Sequence, residues 1–170
     1  MSSLEVRIAF ADGWTGSYAN KASLERLGSE GHAHIHGRLE IQLGERPLPY
    51  LGYWGPDDVC LDTWLGVLLD LFNRTGTSKD EFVFDEGEQG QPAFVFRRHG
   101  DQVGVSIEDS RISDGRGDPA WADVRCDRRQ LRGEVRRFLA WLRDDLAARG
   151  PATRQWWERQ AGRRELPWLP

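Results

Sequence analysis

The chain has 170 residues, of which 39% are hydrophobic and eight are tryptophan, which is enough apolar material to close one hydrophobic core. Its net charge of −4 disfavours direct nucleic-acid binding, because nucleic-acid-binding proteins usually present a dominant basic surface. No apolar run approaches the roughly 20 residues that a membrane-spanning helix needs, and residues 1–20 lack a basic segment followed by an apolar one. We therefore expect a soluble, cytoplasmic protein with no nucleic-acid or membrane partner.

Charge is unevenly distributed along the chain. Residues 79–127 carry 6 basic and 12 acidic side chains, a net charge of −6, whereas residues 128–170 carry 11 basic and 5 acidic side chains, a net charge of +6. Two explanations stay open. Either the two regions pack together and partly neutralise each other, or one of them is a binding surface.

Alternation of apolar and polar residues predicts two strands in the first quarter of the chain. Leu4–Phe10 forms the first, and Asp12-Gly13 supplies the turn that closes it. Ala33–Leu43 forms the second and has the cleanest period of two in the chain. We expect each strand to bury one face and to leave the other in water.

Three histidines lie together at the start of the second predicted strand. His32, His34 and His36 alternate along it, so they share its polar face and stand roughly 6.5 Å apart. Three imidazoles at this spacing reach one metal ion only with help from rotamers or a neighbouring strand, since zinc sites usually combine ligands from separate elements. We expect an ordinary polar strand face with no metal and no cofactor, and these three histidines are the candidate ligands if a metal does bind.

A connection and a helix follow. The prolines and glycines of Arg46–Pro56 exclude a helix, and its aromatic residues are expected to cover an edge of the core. Asp57 or Asp58 is then expected to cap a helix that runs to Thr75. Its apolar residues recur at helical spacing, and they are Leu61, Trp64, Leu65, Leu68, Leu69 and Phe72.

Three antiparallel strands are predicted between Phe82 and Ile107. The segment Glu86–Pro92 joins the first two strands, and Gly100-Asp101 forms a tight turn before the third. Alternation places seven apolar side chains on one face, namely Phe82, Phe84, Phe94, Phe96, Val103, Val105 and Ile107. The acids Asp85, Glu86 and Glu88 collect at one end of the hairpin, in or beside a loop that has no basic residue.

The last third of the chain reads as a loop, a short edge strand and two helices. Asp109–Pro119 is the loop and Trp121–Cys126 the edge strand. Asp127 is expected to cap the longer helix, which Gly150-Pro151 ends. Its apolar stripe consists of Leu131, Val135, Phe138, Leu139, Leu142 and Leu146, and its basic flank consists of Arg129, Arg132, Arg136 and Arg143. A short helix from Ala152 to about Gln160 carries Trp156 and Trp157.

This order of elements predicts an α+β fold. We expect a single antiparallel sheet of about five or six strands, with two main helices packed mainly on one face and a short C-terminal helix. Residues 1–150 are expected to form one domain, on which the Trp-rich helix and tail of residues 151–170 dock. Cys60 and Cys126 are expected to be buried free thiols, because neither has a partner or a metal-binding doublet nearby.

The common signatures of catalytic sites are missing from the sequence. It contains no phosphate-binding Gly-Lys-Ser/Thr loop, no Gly-x-Ser-x-Gly elbow, no His-Glu-x-x-His and no Cys-x-x-Cys. The hairpin acids, together with Glu108 and Asp109, could supply paired carboxylates for hydrolysis, but no base or nucleophile accompanies them. The other interpretation is a recognition surface, in which Asp85, Glu86 and Glu88 complement a basic cleft while aromatic residues anchor the partner. The candidate anchors are Tyr50, Tyr53 and Trp54.

Four segments carry a resemblance to known proteins. They are Gly37-Arg-Leu-Glu-Ile, Asp57-Asp-Val-Cys-Leu-Asp-Thr-Trp-Leu, Phe84-Asp-Glu-Gly-Glu-Gln-Gly-Gln-Pro and Val103-Gly-Val-Ser-Ile. In element order and in acidic, aromatic character, residues 33–146 resemble small actinobacterial proteins of unassigned function and the immunity proteins of bacterial polymorphic toxin systems. The resemblance implies a non-catalytic cytoplasmic binder that neutralises a protein toxin by blocking its active site or docking beside it. The alternative is a small enzyme that uses the hairpin carboxylates, with or without a metal near His34 and His36.

Overall fold

The computed structural model describes residues 5–11, 36–52, 55, 58–75, 80–86 and 90–163. The strands are β1 (Val6–Ala11), β2 (His36–Leu43), β3 (Arg46–Pro47), β4 (Val59–Cys60), β5 (Glu81–Phe84), β6 (Ala93–His99), β7 (Gln102–Glu108) and β8 (Val124–Asp127). The helices are α1 (Leu61–Thr75), α2 (Arg128–Arg149) and α3 (Pro151–Gly162), and a 3-10 turn at Pro119–Trp121 precedes β8. Among these residues, no helix is long and apolar enough to cross a membrane.

The strands form two antiparallel sheets of four strands each. The first sheet has the order β1-β2-β3, and β4 pairs with the beginning of β2. The second sheet has the order β5-β6-β7-β8. The predicted α+β class and antiparallel pairing are therefore confirmed, whereas the prediction of one sheet with five or six strands is wrong. Alternation identifies a strand but not its partner, and among the described residues the strands β5 to β8 pair with one another and not with the first sheet.

The register of the second sheet confirms the predicted apolar face. Phe82 lies opposite Phe96, Phe84 lies opposite Phe94, and Phe94 in turn lies opposite Ile107. Residues directly opposite each other in an antiparallel pair project on the same side of the sheet. The phenylalanines of β5 and β6 therefore share one face with the valines and the isoleucine of β7.

Helices α1 and α2 bridge the two sheets. Helix α1 contacts β2 and β4 of the first sheet and β5 of the second, while α2 contacts β1 and β8. Their apolar stripes lie in one buried cluster that extends along the chain from Val6 to Trp157. All six residues of the predicted α2 stripe are buried, and the Asp127 carboxylate caps α2 by accepting a hydrogen bond of 2.8 Å from the Gln130 N–H.

Three local predictions are wrong. Helix α1 begins at Leu61 instead of directly after an aspartate cap, because Val59 and Cys60 pair with the start of β2 as a short strand. The edge strand starts at Val124, because the 3-10 turn occupies the first residues assigned to it. Both cysteines are free, but only Cys126 is fully buried, and burial raises the pKa of its thiol to about 12.

Candidate functional site

The connection between β5 and β6, Glu86–Pro92 (the hairpin connection), and the connection Arg46–Pro56 (the aromatic connection) meet in the structure at Gln91 and Tyr50. The Gln91 side chain donates a hydrogen bond of 3.3 Å from Nε2 to the Tyr50 carbonyl, 41 positions away. From helix α1, the Trp64 indole N–H donates a hydrogen bond of 2.8 Å to the Leu51 carbonyl. Trp64 also packs edge-on against Phe84, with ring centroids 5.2 Å apart. One buried tryptophan of α1 thus contacts both the aromatic connection and the end of β5, from which the hairpin connection continues.

Tyr50 has an unfavourable backbone conformation and an exposed ring. Its φ is +63°, and the residue is 48% exposed. For an L-residue the left-handed region costs roughly 1–2 kcal/mol, because Cβ approaches the following carbonyl oxygen. Tyr50 thus combines a positive φ with high exposure, whereas Trp141, the other exposed aromatic residue among those described, lies in a helix.

An open groove lies beside Tyr50. It has a volume of about 550 Å³, and its lining includes Leu39 and Ile41 of β2 as well as residues Pro47 to Gly52 of the connection. Gly52 allows this tight path, since a Cβ at Gly52 would lie 2.4 Å from the Gly55 carbonyl oxygen. The groove is large enough to accept a side chain of another molecule.

Asp85, predicted as a recognition residue, makes two hydrogen bonds within the fold. Its Oδ1 accepts from the Ser110 hydroxyl at 2.7 Å, and its Oδ2 accepts from the Arg111 N–H at 2.8 Å. The Ser110 oxygen itself accepts from the N–H groups of Ile112 and Ser113. The Asp85 carboxylate therefore anchors the loop that follows β7 against the hairpin.

Of the four remaining predicted recognition residues, only Glu86 is among the described residues. Glu86 is half-buried and lies beside the first turn of α1. The Thr63 hydroxyl of that turn is 3.4 Å from Glu86 Oε1. Glu88, Tyr53 and Trp54 lie outside the described residues. The recognition surface thus stays a prediction, although its two connections are adjacent.

Glu108 and Asp109, two of the carboxylates considered for catalysis, form structural contacts. Glu108 and Glu81 both bind the Arg97 guanidinium, with distances of 2.5 Å from Nη1 to Glu108 and 2.8 Å from Nε to Glu81, and these bonds raise the pKa of Arg97. Asp109 accepts from the Gly117 N–H and pairs with Arg116, and both contacts lower the pKa of Asp109. No observation on the described residues favours paired-carboxylate chemistry.

Of the three candidate metal ligands, only one falls within the described residues. His32 and His34 lie outside the described residues, and His36 is described only as the first residue of β2, opposite Cys60. Within the described ranges, no group of three or more histidine, cysteine, aspartate or glutamate side chains could hold a metal ion.

A polar cluster on the outer face of the second sheet was not predicted. Asp123 Oδ1 lies 2.9 Å from His99 Nε2, and Asp123 Oδ2 accepts from Arg125 Nε at 3.0 Å. Both contacts lie beside Gly104 of β7, where a Cβ would lie 1.8 Å from Asp123 Oδ1. The signal in the sequence was a glycine inside an otherwise regular strand, which often marks a close approach of other atoms.

Comparison of the chain with protein-family models, with curated proteins and with solved structures found no match.

Proposed function

We propose that the chain is a non-catalytic protein-binding module of the immunity type, which neutralises a bacterial toxin in the cytoplasm. Its recognition surface comprises the hairpin connection with Asp85, Glu86 and Glu88 and the aromatic connection with Tyr50, Tyr53 and Trp54. The partner is a protein with a basic cleft. The observation that carries this proposal is the exposed ring of Tyr50 on a left-handed backbone, hydrogen-bonded to the acidic hairpin through Gln91.

The conformation of Tyr50 supports a role in binding. Unfavourable backbone conformations persist where the surrounding structure imposes them, and they concentrate at functional sites. Glycine or asparagine would occupy φ of +63° at lower cost, yet the chain has a half-exposed tyrosine there. Tyrosine is among the residues that contribute most to protein–protein affinity, because it buries a large surface and keeps a polar tip. The adjacent groove of about 550 Å³ provides a place for a partner side chain.

Electrostatics supports a basic partner. The segment that contains the hairpin, residues 79–127, has a net charge of −6. Such a surface attracts a basic cleft over a distance and increases the association rate, an effect that salt screens. Asp85 also anchors the loop after β7. It would therefore have two roles, since it would fix the position of the recognition surface and also contact the partner.

The test uses the toxin domain that the immunity interpretation expects in a neighbouring gene. Purified chain and toxin domain should form a stable complex, and the chain should protect cells that express the domain. Tyr50→Asn removes the ring while asparagine tolerates the positive φ, so the fold is kept. We expect this variant to weaken binding by about tenfold or more, measured by titration calorimetry.

The matched control is Trp141→Asn, which removes an aromatic ring of similar exposure, 46%, from α2. The control should bind the toxin domain within about threefold of the unmodified chain, because it lies on a different element. Absence of a complex, or equal losses for Tyr50→Asn and Trp141→Asn, would refute the proposal.

A further inference from the structure

A basic groove lies on α2, and it shares no residue with the recognition surface. Its volume is about 340 Å³, and it is lined by Phe72 of α1 and by Arg129, Arg132, Gly133 and Arg136 of α2. Positions three and four apart share one face of a helix, so the three arginines form a row about 10 Å long. None of the described lining residues is acidic.

Two of the three groove arginines, Arg129 and Arg132, differ from other arginines of α2. Arg137, Arg143 and Arg149 pair with carboxylates of the same helix, namely those of Glu134, Asp144 and Asp145. By contrast, Arg129 and Arg132 form no ion pair with any described residue. Like charges three or four positions apart destabilise a helix. A bound anion would remove this repulsion.

The floor of the groove orients one of the guanidinium groups. The Cζ atom of Arg132 lies 4.6 Å from the centroid of the ring of Phe72, a residue that is only 4% exposed. A guanidinium stacked on an aromatic face keeps its N–H groups at the edge available for an acceptor. At Gly133, an added Cβ would meet no atom within 4 Å, so the middle of the groove is open.

We propose that this groove binds the carboxylates of an acidic protein segment. Planar guanidinium groups match carboxylates in paired hydrogen bonds, and a row about 10 Å long accommodates a few acidic side chains. A nucleic acid fits less well, since its phosphates would continue beyond the groove on a chain whose net charge is −4. The occupant is thus a short acidic stretch of a second protein, distinct from the basic partner of the recognition surface.

The test measures binding of a short, fluorescently labelled polyglutamate peptide to the full chain by fluorescence anisotropy. We expect binding that weakens as salt increases. In the triple variant Arg129→Gln, Arg132→Gln, Arg136→Gln, the affinity should fall by about tenfold or more. Circular dichroism of the variant should match that of the unmodified chain, because glutamine is nearly as good a helix former as arginine.

The matched control removes the same charge from other exposed positions, each of which has its own acidic neighbour: Arg7→Gln, Arg116→Gln, Arg154→Gln. It should keep the affinity within about threefold, since only long-range electrostatics changes. The proposal is overturned if the unmodified chain does not bind the peptide, or if the control loses as much affinity as the groove variant. It is also overturned if a single-stranded oligonucleotide or inorganic phosphate occupies the groove more tightly than the peptide at the same ionic strength.

Discussion

Asp123 combines a left-handed backbone with three polar contacts. Its φ is +55°, a region that aspartate tolerates better than most residues do. Besides its contacts with His99 and Arg125, its N–H donates a hydrogen bond of 2.9 Å to the Ser106 hydroxyl. Burial raises the pKa of the Asp123 carboxyl, but the hydrogen bond from Arg125 and the charges of His99 and Arg125 outweigh burial, so the pKa is lowered overall.

Replacement of this carboxylate should have a pH-dependent effect on stability. A lowered pKa in the folded state means that the ionised form stabilises the fold above the unfolded value of about 3.9, and that this contribution is lost as the pH falls through the folded-state pKa. Asp123→Asn keeps the tolerance for positive φ, so it isolates the charge. We expect it to cost less than about 1 kcal/mol at pH 7, since the pair is partly exposed to solvent. Urea unfolding should show this difference shrinking toward pH 3, and a difference independent of pH would contradict the assignment.

At the scale of elements, β7 depends on having no side chain at Gly104. A Cβ there would lie 1.8 Å from Asp123 Oδ1 and 3.0 Å from His99 Nε2. His99 ends β6, and Asp123 immediately precedes β8. Because Gly104 has no side chain, His99 at the end of β6 and Asp123 before β8 can contact each other across β7. This contact links the β6–β7 hairpin to the edge strand β8.

Gly104→Ala should therefore destabilise the fold by about 1–3 kcal/mol through overpacking. Adding Asp123→Gly should recover most of the loss, because it removes the clashing carboxylate and suits the positive φ. The free energies of unfolding of the two single variants and of the double variant complete a double-mutant cycle. A double variant that is no more stable than Gly104→Ala would show that the strain lies elsewhere.

At the scale of the whole molecule, the two sheets are connected through the helices. Because α1 and α2 each contact strands of both sheets, and because one buried cluster includes residues of both, unfolding of one sheet exposes the core of the other. If residues 1–150 form one domain, as expected, the two sheets lose their stability in the same transition. The two sheets should unfold together.

Leu139→Ala tests this consequence, since Leu139 is fully buried in the stripe of α2. We expect it to cost about 2–5 kcal/mol and to shift a single urea transition, in which circular dichroism and tryptophan fluorescence coincide. Ile112→Ala, at a residue that is 68% exposed, should change stability by no more than about 0.5 kcal/mol. Two separated transitions would indicate that the sheets are independent units.

The candidate site was predictable only in part. The sequence identified the acidic hairpin and the aromatic connection, because clusters of one residue type are visible in it. It did not reveal the positive φ of Tyr50 or the hydrogen bond between Gln91 and Tyr50. Nor did it show that both oxygens of Asp85 hold a loop whose Ser110 lies 25 positions away.

The sequence by itself determined the α+β class, the shared apolar face of β5, β6 and β7, the buried stripe of α2 and its Asp127 cap. All of these follow from the spacing of residues within one segment, since the periods of strand and helix decide which side chains share a face. Only the tertiary structure decided that the strands divide into two sheets and that Val59 and Cys60 pair with β2. Strand pairing and side-chain hydrogen bonds join segments far apart in the chain, and their geometry depends on how the whole core packs.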